Sequence, residues 1–147
     1  MTAHINIGSN LGDSRAIIEA AVAELAALST DGECRRSSFV ESEPWGYDSP
    51  NRFLNIGIDI ESCLPPLELL HALQAIERRV AARFASGGNP GNDHRNPDGT
   101  YRDRALDIDL IIYGDLTMDT PELTLPHPRA ALRPFVLGPL RELGHFL

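Results

Sequence analysis

Lysine is absent from this 147-residue chain, and its absence excludes several kinds of catalytic chemistry. All 13 basic residues are arginines. The chain therefore has no lysine that could form a Schiff base with a carbonyl substrate, and no P-loop lysine for the phosphates of a nucleotide. Any phosphate that the protein handles must be held by arginine, by backbone N–H groups or by a metal ion, and arginine grips phosphate through two hydrogen bonds at once.

Cysteine is nearly absent too, which limits disulfide and zinc chemistry. The two cysteines, Cys34 and Cys63, lie far apart in the sequence and match no zinc-ligand spacing. We expect free thiols that are buried as small hydrophobic side chains, since cysteine usually behaves in this way in a cytoplasmic protein. They stand at opposite ends of a predicted hairpin, so the sequence leaves open whether they lie close together.

Long hydrophobic runs and an excess of positive charge are also missing. No apolar segment is long enough to span a bilayer, and no signal-peptide pattern is found. Acidic residues number 21 against 13 basic ones, and the net charge of −8 disfavours a nucleic-acid or anionic-membrane partner. We expect a cytoplasmic monomer with a single domain over residues 1–147, a length that suits one sizeable core.

The hydrophobic pattern predicts an α+β protein. Alternation indicates strands and 3.6-residue spacing indicates helices, in the order strand 3–8, helix 14–28, strand 36–43, strand 52–61, helix 66–84 and a last strand within 101–115. Asp13 is a good N-cap for the first helix, and Pro65-Pro66 suits the start of the second. A final helix is expected near residues 134–143.

Strand 52–61 has one clear core face and one face that could bind a ligand. Leucine and isoleucine alternate on the core face. Phe53 and Asn55 lie side by side on the other face, where a ring can stack on a flat ligand and an amide can hydrogen-bond its edge. An exposed pair of this kind often has no function. The residues assigned to this outer face are Phe53, Asn55, Gly57, Asp59 and Glu61.

Helix 66–84 offers a second candidate surface. Gln74 and Glu77 lie one turn apart beside the apolar stripe, where they could face solvent or a nucleotide. The residues expected to form the buried stripe are Leu67, Leu70, Leu73, Ile76, Val80 and Phe84.

Two loops carry features that a plain connection does not need. Residues 44–50 contain the only tryptophan, Trp45, which could fold onto the rim of the core or form one wall of a ligand pocket. Residues 85–103 are rich in Gly, Pro, Asn and Asp, and loops of this length are usually lids or binding loops. His127, fixed between two prolines, would by itself more often be structural than catalytic.

The most informative stretch is the last strand. Asp107 and Asp109 stand two apart in an apolar run, so a strand sends both to the same face. Two carboxylates this close repel each other and are costly to desolvate, and Mg²⁺ with phosphate oxygens is the usual remedy. Arg104 adds a positive charge beside them. Solvated acids at a strand entry are the alternative, but loose carboxylates are rare in so apolar a strand. The stretch predicts a polyphosphate site.

Six short motifs follow one another along nearly the whole chain. They are Ile-Gly-Ser-Asn-Leu-Gly at 7–12, Glu-Ser-Glu-Pro-Trp-Gly at 41–46, Phe-Leu-Asn at 53–55, Gln-x-x-Glu at 74–77, Asp-Arg-Ala-Leu-Asp-Ile-Asp at 103–109, and Leu-Pro-His-Pro at 125–128 with Arg-x-Phe at 133–135. In this order they resemble the 6-hydroxymethyl-7,8-dihydropterin pyrophosphokinases of the folate pathway. The resemblance implies a ferredoxin-like α+β fold: a four-stranded antiparallel sheet with helices packed on one side, in the order β-α-β-β-α-β, plus a C-terminal helical segment.

The resemblance also implies an enzyme that transfers pyrophosphate from ATP to the hydroxymethyl group of 6-hydroxymethyl-7,8-dihydropterin, giving AMP. Asp107 and Asp109 would hold two Mg²⁺ ions and, with Arg104, would be the catalytic residues. The pterin would contact Ser42, Pro44, Trp45, Phe53, Asn55 and Phe135. ATP would contact Leu70, Gln74, Glu77, Arg104, Leu110, Thr124, His127 and Arg133.

The segment before the aspartates departs from the family pattern. The best-known members carry an arginine-rich lid segment and a tryptophan there, whereas this chain has a longer loop and Tyr101. The sequence does not show which of Arg83, Arg95 and Arg102 replaces the lid arginines.

Two other functions fit part of the pattern. A nucleotidyl or glycosyl transferase could use the Asp-x-Asp pair, but it offers no role for Asn55 between two phenylalanines. A catalytically silent module that binds a small ligand would leave the repulsion between Asp107 and Asp109 unexplained.

Overall fold

The computed structural model describes residues 1–43, 52–84 and 105–147. In chain order the elements are β1 (Thr2–Ser9), α1 (Ser14–Leu28), β2 (Arg35–Arg36), β3 (Val40–Ser42), β4 (Phe53–Glu61), α2 (Pro66–Phe84), β5 (Asp107–Tyr113), β6 (Met118–Asp119), β7 (Thr124–Leu125), a 3₁₀ turn (Ala130–Leu132) and α3 (Pro134–Glu142). The predicted α+β class is confirmed. Asp13 caps α1 as expected, since its carboxylate accepts the N–H of Ala16 at 3.2 Å.

The main sheet is antiparallel, with the strand order β2-β4-β1-β5 and with β3 as a further partner of β4. β1 lies at the centre and pairs with β4 from Thr2 to Ser9. On its other side it pairs with β5, and the register shifts at a bulge between His4 and Ile5. The sheet is therefore four positions wide, with β2 and β3 sharing one edge.

The edge of β4 is paired by two short strands where the sequence predicts a single strand over 36–43. Val40 of β3 pairs with Asn55 of β4, and β2 pairs with Ile58 and Asp59 nearer the C-terminal end of β4. Between them, Ser37 Oγ accepts the N–H of Gly57 at 2.8 Å. A side chain takes the place of a backbone carbonyl at that point, and the ladder is interrupted.

The helices lie on both faces of the sheet. α1 and α2 cover one face, where their apolar residues join those of β1 and β4 in a core cluster that includes Ile5, Ile7, Ile18, Leu25, Ile56, Ile58, Leu69 and Leu73. α3 packs on the other face, since a Cβ at Gly57 would lie only 2.7 Å from Pro139 Cβ. The smaller cluster on this second face consists of Ile111, Ala130, Val136 and Leu140.

The outer face of β4 is buried, contrary to the expectation of an exposed Phe–Asn pair. Phe53 is 8% exposed, Asn55 2% and Asp59 3%. The expectation is wrong because α3 packs against this face of β4. Strand alternation identifies the two faces but does not reveal what a distant helix covers.

Two further expectations of burial are wrong. Leu67 is exposed, and the fully buried Leu69 takes its place in the apolar stripe of α2. Leu67 lies in the first turn of the helix, before the stripe reaches the core. Cys63 is exposed, whereas Cys34 is half-buried, and both are free thiols as expected. Within the described ranges, no helix is long and apolar enough to cross a membrane.

Candidate active site

Asp107 and Asp109 open β5 and project from the same face of the sheet. Asp107 pairs with Gly8 of β1, and Asp109 pairs with Asn6. Both carboxylates are half-buried, while Ile108 between them turns into the core. The predicted geometry of the aspartate pair is therefore found, with both acids at the start of a core strand.

Glu77 of α2 brings a third carboxylate to this strand. Its Oε2 atom accepts the backbone N–H of Ile108 at 2.8 Å, and its side chain is only 7% exposed. A carboxylate is an acceptor only, so it fits a backbone N–H that faces α2. The contact fixes the peptide that lies between the two aspartates.

A cavity of about 270 Å³ lies between α2, the start of β5 and residues 120–128. Asp107 and Asp109 both line it. Six residues expected to contact ATP share its wall, namely Leu70, Gln74, Glu77, Leu110, Thr124 and His127. The structure thus brings residues from three parts of the sequence to one cavity beside the aspartates. The sequence did not indicate Thr120 and Leu123, which also line it.

His127 is held so that it can donate a hydrogen bond. Its backbone N–H donates to the carbonyl of Ile111 at 2.8 Å, and its ring Nδ1 accepts the N–H of Arg129 at 3.2 Å. Burial lowers the pKa of His127 below its usual 6.5, and the charge of Arg133 lowers it further, although Asp107 opposes these effects. The neutral ring is therefore favoured, with its proton on Nε2.

Asn55 lies on the second face of the sheet, directly across β1 from the aspartate strand. Its Nδ2 donates to Ser42 Oγ at 2.9 Å and to the carbonyl of Val40 at 3.3 Å. Gly8 separates Asn55 from Asp107 in the strand pairing. A Cβ at Gly8 would lie 2.8 Å from Asn55 Oδ1, so only glycine leaves this amide in place.

Two phenylalanines belong to the same side of the sheet. Phe53 lies beside Gly8, where an added Cβ would be 3.5 Å from its Cδ1 atom. Phe135 is half-buried in the first turn of α3, with the Arg133 guanidinium 5.9 Å from its ring centroid. Ser42 lies on β3, Asn55 and Phe53 lie on β4, and Phe135 lies on α3.

Asn6 is a candidate site residue that the sequence alone did not indicate. It lies between Asp109 and Gly57 in the sheet and is 4% exposed. Its Oδ1 atom is buried and has no hydrogen-bond partner among the described residues. The available signal was a polar residue in the middle of an apolar strand, on the same side as Gly8.

Several predicted site residues lie outside the described ranges. These are Pro44, Trp45 and Arg104, together with the lid expected over 85–103 and the candidate lid arginines Arg95 and Arg102. The third candidate, Arg83, is described: its guanidinium donates to Glu24 Oε2 at 2.8 Å, so this side chain lies against α1.

Two aspartates on one strand face beside a cavity could hold the metal ions of a phosphotransfer enzyme. Comparison with known proteins defines the group more closely, because the sequence model described as 7,8-dihydro-6-hydroxymethylpterin-pyrophosphokinase (HPPK) matches residues 4–145. The chain therefore belongs to the 7,8-dihydro-6-hydroxymethylpterin-pyrophosphokinase family, as the six motifs indicated.

Individual members of this family are similar in sequence to nearly the full length of the chain. The 2-amino-4-hydroxy-6-hydroxymethyldihydropteridine pyrophosphokinase of Porphyromonas gingivalis is 37% identical over 145 residues, which cover 98% of this chain and 91% of that protein. The protein of the same name from Bacillus subtilis is 33% identical over 141 residues, 96% of this chain and 77% of the relative. The Pseudomonas aeruginosa protein is also 33% identical, over 96% of this chain and 79% of its own length.

Proposed function

We propose that the chain carries out its family's reaction beside β5, with two Mg²⁺ ions held by Asp107 and Asp109. The reaction transfers pyrophosphate from ATP to the hydroxymethyl group of 6-hydroxymethyl-7,8-dihydropterin in folate biosynthesis. The hydroxymethyl oxygen attacks the β-phosphorus of ATP and gives up its proton to water, the bond from this phosphorus to the α,β-bridging oxygen breaks, and AMP leaves with that oxygen. The observation that carries the proposed site is that two carboxylates from one strand face line one cavity.

The residues at the start of β5 fit Mg²⁺. Mg²⁺ prefers carboxylate and phosphate oxygens and keeps several waters, and two neighbouring aspartates provide this donor set. The buried Oδ1 of Asn6, opposite Asp109, is an acceptor that metal-bound water could satisfy. Bound ions would neutralise the phosphate charge and polarise the attacked phosphorus.

The cavity wall supports binding of ATP. His127 would donate from Nε2 to a phosphate or sugar oxygen, and Gln74 and Thr124 would add side-chain hydrogen bonds. Leu70 and Leu110 would pack against the base. We propose Arg133 and Arg104 as the phosphate-binding arginines, in keeping with the absence of lysine from the chain.

The face around Asn55 supports binding of the pterin. Phe53 and Phe135 would stack on the two sides of the ring, which is the usual use of aromatic side chains with flat ligands. Asn55 would hydrogen-bond the ring edge and is held in place by Ser42. We propose Pro44 and Trp45 as further walls of this pocket, and the loop 85–103 as a lid that closes over ATP to exclude water.

We also propose that the sheet and helices form the ferredoxin-like arrangement. The element order β1, α1, β2 with β3, β4, α2 and β5 supports it, as does the packing of α1 and α2 on one face. α3 on the opposite face would then be an addition that carries Phe135 to the site.

The product of ATP distinguishes this function from its rivals. The protein is incubated with ATP, Mg²⁺ and 6-hydroxymethyl-7,8-dihydropterin, and the nucleotides are separated. We expect AMP and pterin diphosphate in equal amounts. Formation of ADP alone, or no turnover of ATP, would reject the proposal. A nucleotide-sugar transferase would give no AMP, and a silent binding module would leave ATP unchanged.

A further inference from the structure

A cluster of side chains that could ligate a metal lies at the opposite end of the sheet from Asp107. His4 of β1 and Asp59 of β4 are direct partners across the strands, and His4 Nδ1 lies 2.7 Å from Asp59 Oδ1. His145, beyond the end of α3, places its Nε2 atom 2.8 Å from Asp59 Oδ2. One ligand atom from each of the three residues lies within 4.8 Å of the others.

We propose that His4, Asp59 and His145 form a Zn²⁺ site that is separate from the Mg²⁺ site at β5. Two imidazoles and one carboxylate bind Zn²⁺ better than they bind Mg²⁺, because Mg²⁺ prefers ligands that are all oxygen. The fourth position would be left to water. The inference does not depend on the proposed function, since no residue of the cluster lines the cavity beside β5.

The hydrogen-bonding state of His4 allows the ring to become a ligand. Because Asp59 is an acceptor, His4 now donates from Nδ1, and its Nε2 atom is buried with no partner in residues 1–43, 52–84 or 105–147. Moving the proton from Nδ1 to Nε2 breaks the Nδ1–H hydrogen bond to Asp59 but none at Nε2, and the freed Nδ1 lone pair forms the metal bond that replaces it. His145 can free its Nε2 atom by the same exchange of tautomers.

The positive charge of Arg35 lies beside Asp59, where a metal ion would bind. Its guanidinium donates to Asp59 Oδ2 at 2.6 Å and to the carbonyl of Leu143 at 2.8 Å. Its side chain is 64% exposed, so it can swing into solvent when an ion arrives. A cavity of about 430 Å³, lined by Arg35, Asp59 and His145, gives the ion a path to the cluster.

A Zn²⁺ ion at this point would fasten the end of the chain to the sheet. His4 and Asp59 belong to the two central strands, whereas His145 follows the helix that carries Phe135. The T-shaped contact between the rings of His4 and His145, with centroids 5.4 Å apart, already joins these parts. Metal binding would therefore stabilise α3 against the second face of the sheet.

Metal titration of the full chain tests the proposal. The protein is stripped with a chelator and titrated with Co²⁺, read by its visible absorption, and with Zn²⁺ in competition with a chromophoric chelator. In the absence of ATP, whose phosphates would complete the proposed Mg²⁺ site, we expect one equivalent of Zn²⁺ and a tetrahedral Co²⁺ spectrum. His145→Gln should weaken Zn²⁺ binding by at least about tenfold, since even outer-shell changes weaken metal sites by that much. Circular dichroism checks that this variant is folded.

Three further variants make the result specific. Arg35→Gln should tighten Zn²⁺ binding, because it removes a competing positive charge, whereas a purely structural ion pair would give no such gain. Asp109→Ala and His71→Gln should leave the affinity unchanged, since His71 pairs with Glu122 on the surface, away from the cluster. No bound Zn²⁺, or binding that His145→Gln does not weaken, would overturn the proposal, and so would a loss of binding in Asp109→Ala or His71→Gln.

Discussion

Glu77 Oε2 accepts the backbone N–H of Ile108 at 2.8 Å and so joins α2 to the peptide between the two aspartates. The carboxylate does this from a position that is 7% exposed. A buried N–H without an acceptor destabilises the fold. The contact therefore stabilises the packing of α2 on β5, and it also fixes the direction in which Asp107 and Asp109 point. Glu77, Asp107 and Asp109 all line the cavity proposed to bind ATP.

Replacing Glu77 should therefore affect stability and catalysis together. Glu77→Ala leaves the Ile108 N–H unpaired, and we expect a loss of about 1–3 kcal/mol in the free energy of unfolding. We also expect kcat to fall by about tenfold or more, because small displacements of catalytic groups are costly. Urea unfolding and AMP formation measure the two effects. Glu77→Gln keeps an acceptor and should retain more of both; equal losses in the two variants would contradict this role.

Removing one aspartate tests the metal site. We expect Asp109→Ala to lower kcat by about 10²- to 10³-fold or more, since it removes charge stabilisation at the reacting phosphates, while the unfolding transition changes little. Asp115→Ala is the matched control, because Asp115 is an exposed acid in the turn after β5, and it should retain full activity. Near-normal turnover in Asp109→Ala would show that the ions are held elsewhere.

Replacing Asn55 should affect the binding of one substrate and not of the other. Asn55→Ala should weaken pterin binding by about tenfold, which corresponds to the loss of one or two hydrogen bonds, and it should leave ATP binding almost unchanged. Titration calorimetry with each ligand measures both affinities. Ser42→Ala removes one of the two partners of the Asn55 amide but keeps the Val40 carbonyl, and a smaller loss is expected. A similar loss of affinity for both ligands would show that Asn55 does not define a pterin pocket.

Asp59 should contribute to stability in a way that depends on acid pH. Burial would raise the pKa of Asp59, but hydrogen bonds from His4, Arg35 and His145 outweigh it and lower the pKa from 3.8 to about 2. The lowered pKa stabilises the fold fully above pH 3.8, and the contribution is lost as the pH falls towards 2. We expect on the order of 2 kcal/mol.

Urea unfolding in a chelating buffer at several pH values measures this contribution. The free energy of unfolding of the wild type should fall more steeply between pH 4 and 2 than that of Asp59→Asn, which has no charge to lose. Parallel curves for the two proteins would mean that Asp59 titrates normally in the folded chain.

The sequence predicted those parts of the site that depend on local periodicity. Asp107 and Asp109 share a face because a strand alternates, and α2 starts at Pro66 because proline suits a first helical turn. The order of the six motifs along the chain then indicated the family before the fold was known. These inferences use residues close in sequence, where physical rules act over a few positions.

Long-range contacts could not be predicted in this way. The bond from Ile108 to Glu77 joins residues 31 positions apart, and the contact of His145 with Asp59 spans 86. The burial of Asn55 depends on α3, which packs there from the end of the chain. Asn6 is one polar position of an alternating strand, and only the pairing of β1 with β5 places it beside Asp109.

A crystal soaked with Mg²⁺ and α,β-methylene-ATP tests the central claim most directly, because this analogue cannot undergo cleavage between its α- and β-phosphorus atoms. We predict two Mg²⁺ ions bound to the carboxylates of Asp107 and Asp109 and bridging the phosphates of the analogue. If the analogue binds while both carboxylates hold no ion and point into solvent, the proposed site is wrong.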